Sequence, residues 1–396
     1  MYVRKTLLLS ILVIGICTSC DRDSLLDVPP SPFPMDNTTF SVETIAKGFS
    51  IPFGIAIVSD SEYFITDRTN RLYWFKDDQL IEIDGTPNIA TFRDPGIAAI
   101  AHGGLMDISL HPEYPNTPWL YIAYLSAGAT GTVARFQIHD NQITQLETIL
   151  ETSTPGFYGN GMRIVWEDDS HFFLNIGAST LTTNANPILI SQDLNEDWGK
   201  VHRLMEDGST PADNPIFAGT TNASSIWSYG HRDVQGLYYD KVTGTLFGVE
   251  HGPKGGDEFN VIEGGNNYGW PLFTFGINYD GATVSSMSER EAAQSTQLPE
   301  HYWTAPTNDG GQSIAPSCLL KVDGSSVPDW NDHFLIGSLA FRRLLKFDRN
   351  TGETFGLDLE GRVRTIKQLP GGDIIALIER SHPTLSNGRI VRISAR

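Results

Sequence analysis

Cysteine is scarce in this chain: three in 396 residues, at positions 17, 20 and 318. Two of them fall in the N-terminal segment, so a processed chain keeps one internal thiol and has no intrachain disulfide framework. Cys318 sits among apolar residues in "IAPSCLLKV". There it packs as a small hydrophobe, and no neighbour lowers its pKa for nucleophilic work. Positive charge is short as well. Against 47 Asp and Glu stand 28 Lys and Arg, a net charge of −19, which argues against a phosphate backbone as partner. No stretch reads G-x-S-x-G, so the nucleophile elbow of a hydrolase is missing. Past residue 40 there is little of the 3.6-residue periodicity that marks amphipathic helices.

The long apolar run lies near the start. "MYVRKTLLLSILVIGICTSC" has Arg4 and Lys5, then apolar residues from Leu7 to Cys17, then small residues before Cys20. The run is too short to span a bilayer and reads as an export signal. Ser19 before Cys20 resembles a bacterial lipobox. This predicts a lipoprotein signal peptide over 1–20 and a lipidated Cys20, whose several acyl chains anchor the protein to a membrane, facing the periplasm or on the outer membrane. A plain secretory signal cut nearby is the alternative. Residues 21–40, rich in Pro, Asp and Ser, read as a flexible tether.

Beyond residue 40 one pattern recurs: an apolar strand, a polar turn, an aromatic-rich strand, then often a third. "FGIAIVSDSEYFITDRTNRLYWF" at 53–75 is one copy, "MDISLHPEYPNTPWLYIAYL" from 106 a second, and "MRIVWEDDSHFFLNIG" at 162–177 a third. "QGLYYDKVTGTLFGVEHG" from 235, "APSCLLKV" with "HFLIGSLAFRRLLKFD", and "RTIKQLPGGDIIALIERS" with "GRIVRIS" make six. One such sheet cannot bury both faces alone, whereas six stacked radially close a ring. The expectation is an all-β, six-bladed β-propeller of four-stranded antiparallel blades over 41–396, with "FSVETIAKG" completing the last blade. A pair of packed sandwiches is the alternative. Insertions at 178–200 and 273–312 are where a site would be built.

The most unusual stretch is "VEHGPKGGDEFN" at 249–260. By composition it is either a solvated hairpin loop or a cation cradle of bare carbonyls and carboxylates. Asp257 and Glu258 do not form a catalytic carboxylate pair, because neighbours on a strand point to opposite faces.

This stretch, with "GGLMDISLHPEYPNTPWLYIAY", "GKVHRLMEDGSTPADNPIF", "IWSYGHRDVQGLYYD", "VIEGGNNYGWP" and "GRVRTIKQLPGG", resembles the soluble PQQ-dependent aldose sugar dehydrogenases of the glucose/sorbosone dehydrogenase family. The resemblance runs from about residue 50 to the C-terminus and implies a six-bladed propeller. It implies that the carbonyls of Gly252 and Pro253 bind a calcium ion shared with the quinone, and that Glu258 is a ligand of a second, structural calcium. Arg362 and Arg364 would hold cofactor carboxylates, for which the guanidinium fork is suited. Arg232 would polarise the quinone oxygen, with Asp233 beside it at the cofactor.

The same resemblance exposes five departures. The position of the family's base is Gly159, and that of the aspartate orienting it is Ala178. A lysine position near the cofactor is Ala340, an asparagine has become Asp233, and a glutamine has become His102. Loss of a general base typically removes about two to four orders of magnitude in rate. Two functions follow as expectations. One is a PQQ-dependent dehydrogenase acting on a sugar or alcohol and an electron acceptor, with His102 as base and His251 as second candidate. The other is a non-catalytic lipoprotein that binds a glycan or a partner over the same mouth.

Overall fold

Each repeat folds as one four-stranded antiparallel sheet. The structure, a computed structural model, describes residues 32–90, 103–156, 161–178, 187–304, 313–359, 361–379 and 388–396. Blade 1 comprises Pro52–Ser59, Glu62–Asp67, Arg71–Lys76 and Gln79–Ile83. Blade 2 comprises Leu105–Leu110, Leu120–Leu125, Gly131–His139 and Gln142–Glu151. Blade 3 comprises Gly161–Trp166, His171–Ile176, Lys200–Met205 and Ile226–Tyr229. Blade 4 comprises Val234–Asp240, Thr245–Glu250, Asp257–Ile262 and His301–Trp303. Blade 5 comprises Pro316–Lys321, Phe334–Ser338, Arg343–Phe347 and Thr354–Leu357. Blade 6 comprises Arg362–Gln368, Ile374–Glu379 and Gly388–Ala395, closed by the early strand Phe40–Phe49.

The first strand of each blade packs beside the first strand of the next, and the sixth meets the first. This is the closed six-bladed propeller that the repeats predict. Burial follows position in the blade. Leu120–Leu125 and Ile374–Glu379 are buried at every residue, because both faces of a second strand are covered by neighbouring blades. The outer strand Gln142–Glu151 is half-exposed and polar. Each fully buried Leu, Ile or Phe stabilises the ring by about 1.5–3 kcal/mol relative to exposure. Hairpins between strands use the residues their turns demand. Asp140 and Asn141 both take positive φ, the two-residue turn that matches the strand twist.

One side chain ties all six blades at the axis. Arg163, in the first strand of blade 3, donates Nε to Gln235 O at 2.8 Å and Nη2 to Ser317 O at 2.7 Å and Arg364 O at 3.0 Å. Its Nη1 reaches Phe53 O at 3.3 Å and the Asp107 carboxylate at 3.4 Å. These partners come from the first strands of the other five blades. The N-terminal approach is also docked. Phe33 packs edge-on to Phe341 at 6.3 Å, Asp36 pairs with Lys346, and Met35 bridges Gly356 of blade 5.

Candidate active site

The first strands of blades 4 and 6 begin at Val234 and Arg362, and Val234 pairs with Glu250 at the end of the next strand. The loop carrying Arg232 and the turn 251–256 therefore emerge together on one rim of the ring. That turn depends on two successive glycines in the left-handed region, Gly255 at φ +72° and Gly256 at φ +68°, a conformation costly for other residues. The buried Asp257 carboxylate locks it: Oδ1 accepts from Gly252 N at 2.8 Å and Oδ2 from Ala315 N at 2.9 Å. Burial pushes its pKa up to about 6. The Pro253 carbonyl accepts from Ser313 Oγ at 3.2 Å.

Glu258 points to the opposite face, as strand alternation requires, and borders a small cavity with Arg232, Glu250, His251, Gly252 and Trp270. Asn260 Nδ2 bridges the two acids, 3.0 Å from Glu250 Oε1 and 3.1 Å from Glu258 Oε2. Asn260 Oδ1 is buried with no hydrogen-bond partner among the described residues. Burial and the nearby Glu250 carboxylate hold the Glu258 pKa well above the usual range. Two carboxylates crowded in one pocket of oxygen donors make a charge arrangement that a hard divalent cation completes.

Beneath this pocket, Ser228, His231 and Glu250 are hydrogen-bonded in sequence at 2.9 and 3.1 Å. The order is that of a hydrolytic triad, but Ser228 and His231 are wholly buried, so no substrate reaches the hydroxyl. The chain of bonds is structural: Glu250 Oε2 also accepts from Arg232 N at 2.8 Å and fixes the loop. The Arg232 guanidinium donates to His251 O at 3.0 Å and lies over the Trp270 ring at 5.2 Å. His251 Nε2 donates to Pro316 O at 2.8 Å, which leaves Nδ1 facing the Asp233 carboxylate at 3.7 Å. Burial pushes the Asp233 pKa up to about 6, against the pull of Arg232 and Arg364. The negative charge expected beside the cofactor is therefore present at neutral pH and is lost only as pH falls below about 6.

Arg362 and Arg364 share one acid. Glu379 accepts from Arg362 Nε at 3.0 Å, and from Arg364 through Nη2 at 2.7 Å and Nε at 3.2 Å. Arg362 Nη1 reaches Leu339 O at 3.2 Å. Arg364 lies over the Phe53 ring at 5.3 Å, beside the axial Arg163 at 4.3 Å. Arg364 therefore stands near the axis, and Arg362 is tied to it through Glu379. A third guanidinium, Arg68, shares that ring at 5.8 Å and donates to Gly103 O.

The structure gathers Arg232, Asp233, Gly252, Pro253 and Glu258 around one turn, and it places Arg362 and Arg364 close enough for Arg364 to act on Asp233. His102 and Gly159 lie outside the described residues. Ala178 donates its backbone N–H to Arg232 O at 2.6 Å, and Ala340 to Ile314 O at 3.3 Å; neither methyl group can orient a base or hold an anion. Glu250, Glu379 and Arg163 escape a reading of motifs. Their signal is a lone charge in an apolar strand ("LFGVE", "IIALIE", "MRIVW"), which marks a buried charge with a partner.

A sequence profile described as Glucose / Sorbosone dehydrogenase matches residues 49–392. The chain belongs to the glucose/sorbosone dehydrogenase family. Among relatives, it is 28% identical over 374 residues to the aldose sugar dehydrogenase YliI of Escherichia coli, covering 90% of this chain and 94% of that one. The crystal structure of the soluble aldose sugar dehydrogenase from Escherichia coli, in its apo-form, superposes with a TM-score of 0.75 at 25% identity, over 90% of this chain and all of that one. The PQQ-bound aldose sugar dehydrogenase of Streptomyces coelicolor shares the fold at a TM-score of 0.69 and 22% identity, over 90% of this chain and 98% of that one. The glucose/sorbosone dehydrogenase match reaches all six blades and the rim just described, and leaves out most of the closing strand Phe40–Phe49.

Proposed function

We propose that this chain is a PQQ-dependent dehydrogenase that oxidises a CH–OH group of a sugar or related alcohol at the cell envelope, with reduced activity. The observation that carries the reading is the pairing, on one rim, of three arginines with a pocket of oxygen donors. The residues suit the cofactor. A guanidinium offers five N–H donors, and the bonds to Glu379 and Leu339 O occupy two on Arg362 and two on Arg364. Both forks therefore retain donors for a polycarboxylate. Bound there, PQQ supplies a quinone that accepts hydride from the sugar carbon. The Gly252 and Pro253 carbonyls would hold the calcium that meets it, and Glu258 a second, structural calcium. Arg232 would polarise the quinone oxygen, and Trp270 beneath it keeps its guanidinium in place and excludes water.

The proton acceptor is assigned to His102, with His251 second, because Gly159 and Ala178 carry no titratable group. Reconstitution with PQQ and calcium tests the reading. Calorimetry is expected to give micromolar or tighter PQQ affinity, and an aldose panel slow dye reduction that His102→Ala abolishes. Absence of PQQ binding overturns it. Ala178 and Ala340 favour a second reading, a non-catalytic propeller lipoprotein, which gains if a saccharide binds where PQQ does not. For the anchor, Cys20→Ser is expected to move the protein from the membrane fraction to the soluble fraction.

A further inference from the structure

Resting on the PQQ reading, we infer that Glu379 is a positioning residue: its one carboxylate sets the orientation in which Arg362 and Arg364 receive an anionic ligand. The backbone is built for this contact. Glu379 is the cross-strand partner of Arg362, and the register slips between Val363 and Thr365. Arg364 is therefore the extra residue of a bulge, a device that re-aims a side chain, and here it brings a second guanidinium onto the same acid. Glu379 accepts one Nε bond from Arg362 and the Nε and Nη2 edge of Arg364, three bonds in all between 2.7 and 3.2 Å. Two arginines tied to one carboxylate hold a fixed angle to each other, which separate partners would not impose.

The carboxylate also stands behind the guanidinium groups, not in front of them. The Glu379 side chain is 6% exposed and that of Arg364 7%, against 18% for Arg362, so Arg362 forms the open side of the pair and Arg364 stands deeper. Arg68, Arg362 and Arg364 all gather within electrostatic reach of Glu379. Without the acid, the guanidiniums would repel one another and splay. Arg364 and Arg362 in turn hold the Glu379 pKa down to about 2 despite its burial, so the clamp stays charged throughout the neutral range.

The test compares wild-type protein with Glu379→Gln, isosteric and neutral, and Glu379→Asp, charged but one methylene shorter. One measurement is hydrogen exchange of the Arg362 and Arg364 Nε–H groups by NMR in the ligand-free proteins. The other is PQQ affinity by calorimetry in calcium, at a temperature where circular dichroism shows each variant folded. Both variants are expected to lose Nε–H protection and to bind PQQ at least tenfold more weakly. Where Glu379→Gln does not fold, Glu379→Asp carries the comparison. Unchanged protection, or lost protection with unchanged PQQ affinity, overturns the inference. A wild-type protein that binds no PQQ, with protection lost only in the variants, overturns the cofactor reading and supports Glu379 as the holder of the two arginines.

Discussion

Asp233 stands near two arginines, yet its carboxyl is harder to ionise than usual, because burial outweighs their pull. The folded-state value of about 6 lies above the ordinary 3.8. The folded protein therefore keeps this proton between pH 4 and 6, where the unfolded chain has lost it. Stability linked to the group is highest below pH 4 and falls as pH rises through 6. Asp233→Asn removes the burden of the buried anion and is expected to stabilise the fold at pH 8 by on the order of 2 kcal/mol, with little change at pH 4. Urea melts of both proteins at the two pH values check this. Asp257 and Glu258 shift the same way, so the difference between variant and wild type is the quantity that isolates Asp233. A reading of motifs identifies Asp233 as an intruding negative charge; its burial, which raises its pKa, depends on neighbours such as Gln235, Glu250 and His251 and has no local mark.

At the scale of elements, the six strand repeats and the 251–256 turn are legible because both are local: strand alternation and glycine placement are written within a few residues. What stays hidden is non-local. Nothing near "IIALIE" says that Glu379 meets "GRVR", and a bulge leaves no trace in composition. The part of the candidate site that carries the departures is harder still, since the informative positions, Gly159, Ala178 and Ala340, lack functional side chains. The turn itself can be tested. An added Cβ at Gly256 would lie 2.4 Å from Gly276 N, at φ +68°, whereas Gly219 at φ +88° has nothing within 4 Å. Gly219→Ala should then cost only the backbone strain, about 1–2 kcal/mol. Gly256→Ala is expected to cost clearly more and to abolish any stabilisation by added calcium. Equal losses in guanidinium melts would show that the turn tolerates the side chain.

For the whole molecule, closure decides whether the rim exists at all. Five blades are made from consecutive strands, but blade 6 borrows Phe40–Phe49, which pairs with Gly388–Ala395 from Phe40 opposite Ala395 to Phe49 opposite Gly388. Arg163 at the axis draws on all six first strands, and Arg362 and Arg364 sit in the blade that this borrowed strand completes. Loss of the closing strand therefore propagates to the candidate site, because the Arg364 carbonyl is one of the anchors of Arg163. It also bares the edge of Gly388–Ala395, and a long unpaired edge templates aggregation. A chain starting at residue 32 is expected to unfold in one cooperative transition. One starting at residue 51 should melt lower, over a broader range, and aggregate at micromolar concentration. A peptide of residues 38–50 supplied in trans is expected to restore the sharp transition by refilling the edge. Identical calorimetric profiles for the two chains would mean that the ring holds without its latch.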